Sequence, residues 1–122
     1  MNAYERLLKY VVIRTPSNEE SETTPSSQCQ FDLANVLKKE MEELGICDVT
    51  LTDTCFLYGK IPATPGCENA PAIGFIAHMD TVSDYCDHDI KPMITENYDG
   101  EALALGESEL VLSPEMFPHL KS

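Results

Sequence analysis

Tryptophan is absent from this 122-residue chain, and lysine plus arginine number only 8 against 21 aspartates and glutamates. The resulting formal charge of −13 argues against a phosphate backbone or an anionic membrane surface as partner, because both reward clustered cations. Beyond that, acidity implies only solubility and self-repulsion. The five cysteines, Cys29, Cys47, Cys55, Cys67 and Cys86, are odd in number and contain no C-x-x-C pair. They read as reduced thiols, not as a disulfide frame or a zinc knuckle. The N-terminus lacks a basic region followed by an apolar core, and no apolar run approaches the roughly 20 residues that span a bilayer. The expectation is a soluble, cytoplasmic protein without nucleic acid or membrane as partner. Also missing are internal repeats, low-complexity tracts, a phosphate-binding glycine pattern, a G-x-S-x-G elbow and a Cys/His nucleophile pairing. The length allows one small domain at most, too little for a complete two-domain enzyme.

What the chain does contain is the stretch Ala70-Pro71-Ala72-Ile73-Gly74-Phe75-Ile76-Ala77-His78-Met79-Asp80-Thr81. A run of apolar residues opens after a proline and closes on two groups able to hold a metal. That pattern reads as a buried strand carrying chemistry at its carboxyl end, where ligands bind in open α/β sheets. On an extended backbone His78 and Asp80 point to one face and Met79 to the other. A neutral His78 imidazole is a good zinc ligand. Asp80 either binds the same ion or accepts a hydrogen bond from the second ring nitrogen, and the spacing leaves both roles open.

The other segments supply a scaffold. Tyr4, Leu7, Leu8 and Val11, widened by Val12 and Ile13, form an amphipathic helix ending before Thr15-Pro16. Residues 17–27 are polar, with Pro25 inside, and read as a mobile surface loop offering Thr24, Ser26 and Ser27 as helix caps. From about Gln28 to Leu44, the residues Phe31, Ala34, Leu37, Met41 and Leu44 keep one apolar face. Lys38, Lys39, Glu40, Glu42 and Glu43 read as its solvated side, and Gly45 ends the helix. Val49 and Leu51, then Cys55 to Ile61, are strand-like; a turn-rich loop at 63–71 leads to the central stretch. Asp84-Tyr85-Cys86-Asp87-His88-Asp89 resembles a metal tract in composition but reads as a solvated loop, since consecutive ligands suit no tetrahedral site. Pro92-Met93-Ile94-Thr95 and Leu103-Ala104-Leu105 look like strands around a turn at Asn97-Tyr98-Asp99-Gly100, and Ser113-Pro114 starts a helical turn. His119 reads as a surface histidine.

Taken in order, several segments resemble the M20 family of zinc peptidases, and its tripeptide aminopeptidase branch in particular. They are Tyr10-Val11-Val12-Ile13-Arg14-Thr15-Pro16-Ser17, Leu44-Gly45-Ile46, the 71–81 stretch with its H-x-D-T ending, Glu96-Asn97-Tyr98-Asp99-Gly100, and Leu112-Ser113-Pro114-Glu115-Met116-Phe117-Pro118. The resemblance implies an α/β fold in which residues 1–122 are the N-terminal segment of the catalytic domain, a mixed sheet with flanking helices, incomplete. It implies two zinc ions with a bridging water that attacks the first peptide bond of a tripeptide. His78 matches the family's zinc-binding histidine and Asp80 the aspartate that orients it.

The bridging aspartate, the general-base glutamate, the remaining ligands and the lid or dimerisation domain all follow, in that family, the point where this sequence stops. The chain alone is therefore expected to be inactive and to bind zinc weakly at most. A sheet cut short is expected to self-associate or pair with a complementing chain. Two other readings stand beside this one: a truncated, non-catalytic binding or assembly piece, and another M20 activity such as a dipeptidase or deacylase.

Overall fold

The computed structural model describes residues 1–86, 89–106 and 108–121. It forms two units, Met1–Ile90 and Lys91–Ser122.

The first unit opens with helix α1, Ala3–Tyr10, whose start is fixed by the Glu5 carboxylate accepting the Asn2 backbone N–H. The helix stops at Tyr10, short of the expected Val12 and Ile13. Its apolar stripe is only partly covered, for Tyr4 and Leu7 are both 58% exposed. What ties α1 to the next helix is polar. Glu40 of α2 (Gln30–Glu43) accepts from the Tyr10 hydroxyl and pairs with the Arg6 guanidinium. This corrects the reading of Glu40 as part of a solvated face: two converging charge-assisted donors offset the cost of half-burying the carboxylate.

Helix α2 buries Gln30, Leu33 and Ala34. None of Thr24, Ser26 or Ser27 caps it; the cap position is Cys29, without a side-chain bond. The first amides instead bond three residues back, Gln30 to the Ser27 carbonyl at 3.2 Å and Phe31 to that of Gln28 at 3.1 Å. At the far end Gly45 adopts φ +78°. Its N–H reaches the Glu42 carbonyl and that of Ile46 the Met41 carbonyl, both at 3.0 Å. This is a Schellman closure, which glycine permits without a Cβ clash.

The same turn builds the small core. Strands β1 (Cys47–Leu51) and β2 (Leu57–Lys60) form an antiparallel hairpin, as the alternation predicts, with a bulge between Cys47 and Thr50. A Cβ on Gly59 would overlap Met41 Cε and come within 2.6 Å of Ile46 Cγ2. Gly59 is thus where the end of α2 crosses β2. Cys55, in the hairpin turn, is 6% exposed.

The central stretch differs most from expectation. Residues 71–80 carry no sheet hydrogen bonding among the described residues, and Ile73, Phe75 and Ile76 are 81%, 94% and 101% exposed. An interior strand needs a neighbour on each side, and the hairpin, the one sheet of this unit among the described residues, does not extend to it. The expected single mixed sheet is accordingly replaced by two separate two-stranded antiparallel sheets. Only the end of the stretch pairs: Pro16 and Thr81 form an isolated parallel bridge. A single helical turn, α3 (Ser83–Cys86), follows. Of the acidic tract at 84–89, Asp87 and His88 lie outside the described residues.

In the second unit β3 (Leu103–Ala104) pairs antiparallel with β4 (Val111–Leu112). Residues 92–95 are not a strand, so the partner expected for Leu103 across the Asn97–Gly100 turn is replaced by Leu112. Ser113 starts the expected turn, its carbonyl accepting from Met116 and Phe117 at 3.1 and 2.9 Å. A 3-10 turn at Pro118–Lys121 holds exposed His119 edge-on to Phe117.

Candidate functional site

His78 and Asp80 project to the same side of the backbone, as alternation along an extended chain requires. The His78 Nδ1 lies 3.1 Å from Asp80 Oδ1. The side chains are 84% and 44% exposed. Nδ1 is engaged, so Nε2 is the ring nitrogen left for a ligand, and a carboxylate on Nδ1 favours the tautomer whose Nε2 lone pair is free. This is the contact that one of the two roles left open by the spacing, a hydrogen bond from the second ring nitrogen, would make.

Beneath the pair lies an arrangement that the sequence reading missed. The Thr81 N–H donates to the Thr15 carbonyl, and the Ser17 N–H donates to the Thr81 carbonyl, both at 2.9 Å. The Ser17 hydroxyl reaches the same Thr81 carbonyl at 3.1 Å. Thr15 and Thr81 hydroxyl oxygens are 3.4 Å apart. Gln30 Nε2 donates toward the Pro16 carbonyl at 3.4 Å and to the Ser26 hydroxyl at 3.2 Å. Thr15 and Gln30 are 2% and 8% exposed. In a parallel bridge the central residue of the partner strand turns its own N–H away from the pairing, which is why proline fits at position 16. The loop expected to be mobile is bonded onto this arrangement, with the Asn18 N–H on the Ser26 hydroxyl at 3.1 Å and Pro25 buried. The one available signal was a polar Thr-Pro-Ser run directly after an amphipathic helix.

Beside the bridge is a cavity of about 350 Å³, lined by Arg14, Ser17, Asn18, Ser27, Cys29 and Ser83 among others, but not by His78 or Asp80. Among the described residues no three His, Cys, Asp or Glu side chains gather as a metal-binding group. Among the described residues His78 and Asp80 therefore bring two donor groups together, fewer than a complete zinc site uses.

No family model matches the chain. It is 49% identical over 117 residues to peptidase T of Desulfitobacterium hafniense (strain DSM 10664 / DCB-2), covering 95% of this chain and 28% of that protein. The chain resembles the N-terminal part of peptidase T. Peptidase T of Alkaliphilus oremlandii (strain OhILAs) is 44% identical over 99% of this chain and 30% of its own length. For peptidase T of Bacillus cereus (strain B4264) the figures are 42%, 97% and 29%. The chain thus spans about 30% of the length of the curated peptidase T relatives it matches. These relatives are named as peptidases, which agrees with a hydrolytic family. Among the described residues, no helix is long and apolar enough to cross a membrane.

Proposed function

We propose that this chain supplies the His78–Asp80 wall of a peptidase T-like zinc aminopeptidase of the M20 type, which releases the N-terminal residue of tripeptides in the cytoplasm. The observation that carries the reading is the 3.1 Å contact between His78 Nδ1 and Asp80 Oδ1, which leaves Nε2 open, in a chain that aligns with peptidase T over nearly its full length.

His78 would hold zinc through Nε2, and Asp80 would keep the ring turned toward it. Bound zinc supplies Lewis-acid polarisation of the peptide carbonyl and an acidified water. Among the described residues only this wall is built, so the chain by itself is proposed to be inactive. The exposed Ile73, Phe75 and Ile76 support a need for further polypeptide. We propose that self-association or a complementing chain covers them.

A chimera tests the activity: this chain replaces the matched stretch of the D. hafniense protein, and tripeptides are assayed beside dipeptides and acylated amino acids. Tripeptide turnover supports the proposal. Hydrolysis confined to dipeptides or acylated amino acids contradicts it in favour of another M20 activity.

A further inference from the structure

We propose that Thr15, Ser17 and Gln30 are positioning residues for the His78–Asp80 pair, holding it through Thr81. The inference builds on the reading of that pair as a metal ligand and its orienting carboxylate.

Residues 71–80 carry no backbone hydrogen bond to another segment among the described residues, and the apolar side chains Ile73, Phe75 and Ile76 stand in solvent. The pair sits at the end of this unsupported stretch, so its geometry is set from the Thr81 side. There the constraint is dense. Both the N–H and the carbonyl of Thr81 are bonded within the 15–17 segment, and its hydroxyl faces that of Thr15. A peptide unit is planar, so fixing the Thr81 N–H on the Thr15 carbonyl also fixes the plane containing the Asp80 carbonyl. Asp80 then keeps mainly its ψ and side-chain torsions to place the carboxylate.

Gln30 anchors the other half. It is the first residue of α2, is 8% exposed, and spans the Pro16 carbonyl and the Ser26 hydroxyl. The 15–17 segment is thereby referenced to the helix that packs on the hairpin. Thr15, at 2% exposure, is shielded from water that would compete for these bonds. The chain from α2 through Gln30, Pro16 and Thr81 to Asp80 connects the rigid part of the unit to the pair.

The test uses the intact chain without metal, labelled with nitrogen-15, carrying Thr15→Val, Thr15→Ser or Ser17→Ala. Ring nitrogen shifts of His78, read at alkaline pH where imidazole is neutral, report which nitrogen holds the proton. Amide exchange reports protection of Thr81. The expected result is a dominant Nδ1–H tautomer in the parent chain. Thr15→Val and Ser17→Ala should shift it toward the free-imidazole ratio and lower Thr81 protection, and Thr15→Ser should restore both. Loss of Thr81 protection with an unchanged tautomer overturns the proposal. If Thr15→Val unfolds the chain, Ser17→Ala carries the test, because it removes one hydroxyl and keeps the backbone bond. Adding Zn²⁺ alone separates the two levels. In the D. hafniense chimera, a His78 ring indifferent to zinc, with its tautomer still dependent on Thr15, removes the metal reading and supports the positioning role.

Discussion

Asp80 faces His78 with its Oδ1 3.1 Å from Nδ1, and neither side chain has another hydrogen-bond or ion-pair partner among the described residues. The ring nitrogen left open in this pair is Nε2. Replacing Asp80 with alanine should leave Nε2 able to bind a metal but the ring free to turn. In the peptidase T chimera, Zn²⁺ affinity is expected to fall about 10- to 100-fold, measured by competition with a chromophoric chelator. An unchanged affinity would show that the carboxylate does not orient the ring.

Gly59 is required by packing and Gly45 by backbone conformation. Gly59→Ala sets a methyl group against Met41 Cε and Ile46 Cγ2 and is expected to destabilise the first unit by about 1–3 kcal/mol. At Gly45, with φ +78° and nothing near a Cβ, alanine is expected to cost about 1 kcal/mol through left-handed strain alone. Urea unfolding followed by circular dichroism checks both. Equal and negligible effects would contradict the described crossing of α2 over β2.

Burial pushes the Cys55 thiol above its ordinary range. Its folded pKa is raised over the unfolded one, so its contribution to stability is complete below the unfolded thiol pKa and is lost as pH rises through the folded value. Urea midpoints are expected to fall on the alkaline side, and less so in Cys55→Ser. At neutral pH an alkylating reagent should label exposed Cys47 and Cys67 well before Cys55. Labelling of Cys55 at the rate of the other two would contradict its burial.

Ile73, Phe75 and Ile76 are exposed apolar side chains. Light scattering of the purified chain is expected to show species larger than a monomer, and Phe75→Asp with Ile76→Asp should reduce them. A monomer at all concentrations would remove the self-association proposal.

Several local features were legible in the sequence, though not the α2 cap or the strand expected at 92–95, and the long-range pairings were not. The extent of α2, the Gly45 stop, the hairpin after it and the Ser113 turn are fixed by neighbours a few residues apart, through 3.6- and 2-residue periods and glycine chemistry. The α2 face was legible only in part, since Ala34 is buried as expected but Leu33 is buried beside it and Leu44 is exposed. The His78–Asp80 contact was legible for the same reason, since alternation places the two side chains together. The Thr15–Thr81 pairing was not, because its partners are separated by 66 positions and no periodicity links them. Residues 71–77 have the composition of a buried strand, but composition states what a segment can pair with and does not supply the partner. Glu40 has the appearance of a surface charge until α1 brings Arg6 and Tyr10 to it.

The most direct measurement is the tripeptide turnover and zinc content of the D. hafniense chimera carrying this chain, with and without His78→Ala. The account expects the parent chimera to hold zinc and release the N-terminal residue, and His78→Ala to lose metal and turnover together. A His78→Ala chimera that keeps its zinc and hydrolyses tripeptides at the parent rate would contradict it.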